Sequence, residues 1–122
     1  MLLEDFYTII ELDSSDKDNI KAIIDLNKEH EIYEGHFPGN PVVPGVCLTQ
    51  LIKEVMENVE NKELILYTAD YIKFMSVVNP EINNRLHIDL KVKYEENLIK
   101  VTSVTYFNDL VFYKFKGNFK AK

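Results

Sequence analysis

The sequence from residue 35 to residue 46 reads Gly35-His36-Phe37-Pro38-Gly39-Asn40-Pro41-Val42-Val43-Pro44-Gly45-Val46. It contains three of the chain's four glycines and three of its four prolines. Each proline fixes φ and removes a backbone donor, so the segment fits neither a helix nor a central strand. We therefore predict a stiff, shaped loop that holds His36 in one place.

A helix is predicted directly after this loop, from Gly45 to about Val59. Its apolar residues recur at helical spacing and form one stripe, which consists of Leu48, Leu51, Ile52, Val55, Met56 and Val59. Gln50, Glu54 and Glu57 are expected on the opposite side. The N-terminus of such a helix has free N–H groups and positive dipole character. A rigid histidine beside an anion-receptive helix end indicates a catalytic site.

The rest of the chain has mainly strand patterns, in which β-branched, aromatic and alternating apolar residues are bounded by turn residues. The predicted strands are 6–12, 20–26, 64–78, 85–94, 98–107 and 110–120. Turns are expected at 13–16, 95–97 and 108–109, with a longer connection around 79–81. One long helix among five or six antiparallel strands predicts an α+β architecture in which the sheet can wrap the helix.

Length and composition are typical of one ordinary globular domain spanning residues 1–122. Hydrophobic residues make up 46% of the chain and charged residues 28%. The single cysteine, Cys47, excludes an intrachain disulfide and fits a reducing compartment. No apolar run is long enough for a membrane span, and the N-terminus lacks the pattern of a signal peptide. The cytoplasm is therefore the expected location.

The charge distribution is uneven. The formal charge of −6 argues against nucleic acid and anionic membrane as partners. However, residues 1–63 have 5 basic and 14 acidic side chains, whereas residues 64–122 have 9 basic and 6 acidic. As a strand, the C-terminal segment places Tyr113, Phe115 and Phe119 on one face, and the other face consists of Lys114, Lys116 and Lys120. That basic face is either simply solvated or a docking patch for an acidic partner.

The pattern His-Phe-Pro-Gly-x-Pro-x-x-Pro-Gly-Val at residues 36–46 resembles the active-site signature of the bacterial 3-hydroxyacyl-acyl carrier protein dehydratases. Residues 32–34, 71–74 and 77–80 also resemble the family around this motif. The resemblance implies a hot-dog fold, an antiparallel sheet of five to six strands wrapped around one long central helix. It also implies a homodimer with sites at the interface, an acyl carrier protein as partner and no cofactor.

The dehydration of a 3-hydroxyacyl thioester explains these residue types. The reaction needs a base for the C2 proton, a donor for the departing C3 hydroxyl, and stabilisation of charge on the thioester oxygen. His36 is the expected base, because an imidazole near its usual pKa is partly neutral at cellular pH. The backbone N–H of Gly45 or its neighbour can receive the thioester oxygen. The resemblance places the acyl substrate against Phe37, Pro44, Gly45 and Val46.

Two side chains on the helix depart from the family. The resemblance implies a carboxylate fourteen residues after His36, contributed across the dimer interface, but this chain has Gln50 there. Four residues on, where the family commonly has glutamine, stands Glu54. Residues i and i+4 share a helix face, so Glu54 is a candidate substitute, and a merely solvated Glu54 is the alternative. We predict His36, Gln50 and Glu54 as the catalytic set.

Three functions remain open from the sequence. The first is a 3-hydroxyacyl-thioester dehydratase, and the second is a half-catalytic hot-dog subunit that needs a partner chain for the carboxylate. The third is an acyl thioesterase in which Glu54 activates water.

Other reactive side chains receive structural interpretations. His30 and His87 are predicted to be ordinary surface residues, and Cys47 a small buried hydrophobe. No metal site is expected, because the histidines and the cysteine lack ligand spacing.

Overall fold

The structure is a computed structural model that describes residues 4–34 and 41–122. Its elements are six strands and one long helix, with a short 3₁₀ helix at Glu31–Tyr33. Their bounds are β1 Tyr7–Asp13, β2 Asn19–Leu26, α1 Gly45–Glu60, β3 Leu64–Phe74, β4 Arg85–Glu95, β5 Leu98–Phe107 and β6 Leu110–Ala121. The predicted α+β class, the strand count and the single long helix are confirmed.

All six strands form one antiparallel sheet in the order β1-β2-β4-β5-β6-β3. The hairpin turns after β4 and β5 each use two residues, and the first residue of each has positive φ, namely Glu96 and Asn108. Every second residue is buried along β2, and along β4 as far as Val92, as the sequence pattern predicts. The buried rows of these strands face α1 and form the core with its apolar stripe.

The helix buries its predicted stripe well. Leu51, Ile52, Val55 and Met56 are each at most 1% exposed, and Val59 is partly buried against the same cluster. Burying one such side chain contributes about 1.5–3 kcal/mol through the hydrophobic effect. The helix ends at Glu60, and the next residue, Asn61, adopts the left-handed conformation that terminates many helices.

Strand β3 is shorter than predicted and more exposed. It ends at Phe74, whereas the sequence pattern predicted a strand to Val78. The segment from Met75 to Asn84 has no strand structure, and Pro80 lies in its turn. β3 lies at the edge of the sheet, and only Leu64 of its eleven residues is buried. The pattern of apolar residues predicted a strand here, but it gave no indication that the strand lies at the edge of the sheet.

The described end of the proline-rich loop is anchored to the rest of the molecule. Residues 41–44 have neither helical nor strand structure, as predicted. The Val43 N–H donates to the carbonyl of Val78 at 2.9 Å, and both side chains are buried. The start of α1 is thereby tied to the connection between β3 and β4. None of the helices that the structure describes is long and apolar enough to cross a membrane.

Candidate active site

The first turn of α1 is an uncompensated helix end as far as its own residues and its N-cap are concerned. The N-cap residue is Pro44, whose side chain makes no capping hydrogen bond, and the first turn contains no acidic residue. The Cys47 N–H donates to the Pro44 carbonyl at 2.9 Å. The partial positive charge of the helix end is therefore available to an anionic oxygen at the amides of Gly45 and Val46.

Gly45 lies directly under an aromatic ring. A Cβ built on Gly45 would stand 2.6 Å from Cζ of Phe74, a distance that atoms do not adopt without movement. The Phe74 ring also packs against Tyr113, with centroids 5.3 Å apart, and the Tyr113 hydroxyl hydrogen-bonds Thr49 on α1. Glycine at position 45 thus allows the Phe74 ring of β3 to approach the helix start closely.

Glu54 lies in the third turn of α1 and is a buried charged residue. Its side chain is 0% exposed. The Tyr7 hydroxyl of β1 donates to its Oε1 at 2.9 Å, and Gln50 Nε2 donates to its Oε2 at 2.8 Å. A buried carboxylate needs such donors, because its desolvation is otherwise unfavourable by several kcal/mol. Tyr7, Glu54 and Gln50 form one hydrogen-bonded chain, which we call the Tyr7–Glu54–Gln50 cluster.

The electrostatics of Tyr7 agree with its role as donor. Burial raises the pKa of the Tyr7 hydroxyl well above its usual value, and the hydrogen bond to Glu54 and the charge of that carboxylate raise it further. Tyr7 therefore keeps its proton throughout the physiological range.

The interpretation of Glu54 as a solvated residue is wrong. The sequence placed it on the polar side of α1, opposite the apolar stripe, but Tyr7 covers that side from a strand 47 residues away. Helical spacing reports only which residues of one helix share a face, so it carries no signal for a cover supplied by another element. Tyr7 was not among the predicted site residues, because a tyrosine at the start of a strand is indistinguishable in sequence from an ordinary β-former.

Gln50 borders open space and Glu54 does not. A cleft of about 510 Å³ runs along the outer side of α1 toward its C-terminal end. Its described lining includes Gln50, Lys53, Asn58 and Lys62, but not Glu54. A ligand that enters from this side meets the Gln50 amide before it can meet the carboxylate.

The remaining predicted site residues are distributed as follows. His36 and Phe37 lie outside the described residues. Pro44 and Gly45 are half-buried at the helix start, whereas the Val46 side chain is 76% exposed. The structure thus brings Gln50 and Glu54 together and places Gly45 on the same helix, one to three turns before them.

Cys47 is buried. Burial is the main cause that raises the pKa of its thiol, and the charge of Glu54 raises it further. The prediction of a small buried hydrophobe is confirmed, because such a thiol is a poor nucleophile.

The predictions for two histidines need correction. His30 caps the 3₁₀ helix, since its Nδ1 accepts from the Ile32 N–H at 3.1 Å, and its ring packs edge-on against Phe6. His87 is half-buried and its ring lies 5.6 Å from that of Tyr106. Neither is a simple surface residue. Within residues 4–34 and 41–122, no group of three or more His, Cys, Asp or Glu side chains is placed to hold a metal ion.

Solved structures with the same fold establish the class of the molecule. The structure superposes on a chain of the dehydratase heterocomplex ApeI:P from Xenorhabdus doucetiae with a TM-score of 0.73 and 16% identity. The superposition covers 93% of this chain and 96% of the Xenorhabdus chain. The sigma28-regulated virulence protein Cj0977 of Campylobacter jejuni gives a TM-score of 0.70 at 15% identity, over 98% and 86% of the two chains. The molecule has the hot-dog fold.

Sequence comparison defines the family. The model of the ApeI-like family, whose description is ApeI dehydratase, matches residues 12–109. The 3-hydroxyacyl-[acyl-carrier-protein] dehydratase FabZ of Fusobacterium nucleatum is 33% identical over 109 residues, which cover 84% of this chain and 75% of that protein. The FabZ of Lactobacillus helveticus is 30% identical over 111 residues, with coverages of 82% and 74%. The chain belongs to the ApeI-like dehydratase family and is homologous to the FabZ dehydratases.

Proposed function

We propose that the protein is a 3-hydroxyacyl-[acyl carrier protein] dehydratase, which eliminates water from a 3-hydroxyacyl thioester to give the trans-2-enoyl thioester in fatty-acid or related lipid synthesis. The observation that carries the proposal is the polar pair Gln50 and Glu54, held on α1 behind an uncapped helix start in a chain of a dehydratase family. The reaction needs a polar group to bind the C3 hydroxyl, which the pair can supply, and N–H donors for the thioester oxygen, which the helix start can supply.

The roles we assign follow the chemistry of the elimination. His36 removes the C2 proton, and the amide of Gly45 or Val46 receives the developing charge on the thioester oxygen. Gln50, held from behind by Glu54, binds the C3 hydroxyl. Phe37, Pro44, Gly45 and the backbone of Val46 hold the acyl group. The uncompensated helix end supports the assignment of the thioester oxygen, because a developing oxyanion is stabilised there.

The proposal includes a dimer, because β3 is an edge strand rich in exposed apolar side chains. These are Ile65, Leu66, Tyr67, Tyr71, Ile72 and Phe74. An exposed apolar edge is a template for pairing with another strand, and a twofold pair of β3 strands would cover both copies at once. A cytoplasmic site of action is part of the same proposal, since the single cysteine is a free buried thiol.

The acyl carrier protein is the proposed macromolecular partner, and the basic outer face of the sheet is its proposed docking surface. Tyr113, Phe115 and Phe119 of β6 are buried, as predicted, and Lys116 is exposed on the opposite face. Lys73 of β3 stands directly across from Lys114 of β6. Two like charges in register are unfavourable unless a counter-charge is supplied, which is what an acidic partner does.

The test is the conversion of a 3-hydroxyacyl-carrier thioester, followed by the appearance of enoyl absorbance and, in parallel, of free thiol. We expect enoyl formation by the wild type, and a loss of about 10² to 10⁴ in rate for His36→Ala. The His87→Ala variant is the matched control and should retain activity. Release of free thiol without enoyl product would identify a thioesterase instead.

A half-catalytic subunit is the second candidate, and Gln50 at the usual carboxylate position is the observation that favours it. The Xenorhabdus protein of the same fold is described as part of a heterocomplex. If the purified chain turns over only after a second hot-dog chain is added, this candidate replaces the homodimer.

A further inference from the structure

We propose that Tyr7 and Glu54 act as positioning residues that turn the Gln50 amide, so that its carbonyl oxygen and not its NH₂ group faces the substrate. Gln50 then holds the C3 hydroxyl as a hydrogen-bond acceptor. The inference rests on the proposed dehydratase function and assigns a role to each member of the Tyr7–Glu54–Gln50 cluster.

The orientation of the amide follows from the chemistry of its neighbour. The contact at 2.8 Å joins Gln50 Nε2 to Glu54 Oε2, and because an amide NH₂ can only donate, the carboxyl oxygen is the acceptor. The amide is planar, and its carbonyl oxygen therefore points away from Glu54. Because Gln50 borders the cleft and Glu54 is fully buried, the carbonyl oxygen is the part of the cluster presented to a ligand.

Tyr7 keeps Glu54 in the orientation that this arrangement requires. Its hydroxyl donates to the second carboxylate oxygen, so the carboxylate is held from β1 and from α1 at the same time. β1 is itself fixed by pairing with β2, where Tyr7 stands opposite Leu26. The helix adds a further restraint, since Asn58 Nδ2 donates to the Glu54 main-chain carbonyl at 2.8 Å.

The elimination balances without a proton from Gln50 or Glu54. His36 takes the C2 proton, the C2=C3 double bond forms, and the C3–O bond breaks. The imidazolium then gives that same proton to the departing hydroxide, so water leaves and His36 returns to its neutral state. Gln50 accepts a hydrogen bond from the C3 hydroxyl and holds it in place without changing its own protonation.

This chemistry makes a prediction about pH. The rate should rise as His36 becomes neutral and should not fall again through the ionisation of a carboxylic acid. Among the described residues, the titratable groups that interact with Glu54 are Tyr7 of β1 and Cys47 of α1, and the charge of Glu57 on α1 acts on Tyr7. Lys53 borders the cleft beside Gln50 and pairs with Glu57. Glu57 also borders the cleft, but its Oε2 accepts from the Leu64 N–H at 2.8 Å and lies 3.7 Å from Lys53 Nζ, so this carboxyl group is held toward the C-terminal end of α1.

The experiment measures three variants by the enoyl assay from pH 5 to pH 9. Two are the single substitutions Tyr7→Phe and Glu54→Gln, and the third is the exchange variant, a double substitution that combines Gln50→Glu and Glu54→Gln. The matched controls are Tyr94→Phe and Glu60→Gln, because the Tyr94 hydroxyl donates to Glu60 at 2.7 Å on the exposed side of the same helix. We expect kcat to fall about tenfold for Tyr7→Phe and for Glu54→Gln, without a further fall when the two are combined. The exchange variant should gain an alkaline decline that the wild type lacks, since it restores a carboxylic acid at position 50.

Several results would overturn the inference. One is a wild-type profile with an alkaline decline that disappears in Glu54→Gln, because Glu54 would then be the acid itself. Another is a loss in Tyr7→Phe and Glu54→Gln no larger than in the controls.

Amide NMR of Gln50 gives a readout that does not depend on turnover. One side-chain N–H of the wild type should resonate downfield and move in Glu54→Gln but not in Glu60→Gln, and an unmoved signal contradicts the orientation. A wild type that shows this signal but no enoyl product rejects the dehydratase function, while the contact itself stands.

Discussion

Gly45 is the single position where one added methyl group should disturb the helix start most directly. A Cβ there meets the Phe74 ring at 2.6 Å, and the ring belongs to β3, which ends at this point. The ring is 57% exposed and its outer edge can move, so the disturbance is limited in size. The close contact fixes the end of β3 against the first turn of α1.

We predict that Gly45→Ala lowers the free energy of unfolding by about 1 kcal/mol, at the low end for an overpacked site. The Phe74→Ala variant removes the obstructing ring, so the two changes together should cost less than the sum of their separate effects. Urea unfolding of the four proteins measures this. Strictly additive effects would show that the ring and the glycine do not restrain each other.

At the scale of elements, β3 is the strand that exposes the most large apolar side chains among the described residues. Its apolar side chains are exposed on both faces, and its outer edge has no neighbouring strand among the described residues. Two bulges, between Leu66 and Thr68 and between Ala69 and Tyr71, interrupt its pairing with β6. They change the direction of the strand and so shape the edge that a second copy would meet.

We predict that Ile72→Lys raises the Kd of the dimer about tenfold or more, because a charge must then be desolvated beside the paired strands. Ile82→Lys is the control, since Ile82 is an even more exposed isoleucine in the connection after β3. Sedimentation equilibrium measures both. A monomeric wild type, or equal weakening by the two substitutions, contradicts pairing through β3.

The elements show what the sequence predicts and where it stops. β5 was predicted at its observed bounds because alternation and turn residues are local signals, and the same is true of α1 to within a residue. The end of β3 at Phe74 was missed, since Met75, Val77 and Val78 continue an apolar pattern although they lie in a connection. The burial of Glu54 was missed because Tyr7 reaches it across the fold, and contacts over 47 residues leave no periodic signal.

At the scale of the whole molecule, lysines concentrate on the outer face of the sheet where β3 pairs with β6. The outer face has Lys73, Lys114, Lys116 and Lys120, and Lys120 lies 3.7 Å above the ring of Tyr67. No salt bridge involves these four lysines within the described residues. The face is basic although the chain as a whole has a formal charge of −6.

We predict that reversing Lys114 and Lys116 to glutamate raises KM for a carrier-bound substrate about tenfold, and that the effect weakens at high salt. KM for a small thioester of the same acyl group should stay unchanged. Lys17→Glu with Lys28→Glu is the control, since it makes the same change in net charge on exposed residues elsewhere. Equal effects of the two pairs, or a salt-insensitive effect, would exclude a specific docking face.

The Tyr7–Glu54–Gln50 cluster also constrains the order in which its residues can change over evolution. A lineage that exchanges a glutamate at 50 and a glutamine at 54 by single substitutions passes through either two carboxylates or two amides. Two carboxylates one helical turn apart repel each other in a buried site. A tyrosine already in place at position 7 lessens that repulsion by donating to the inner one. Tyr7 is therefore the substitution expected to come first, and ancestors reconstructed with Tyr7 should tolerate glutamate at both positions.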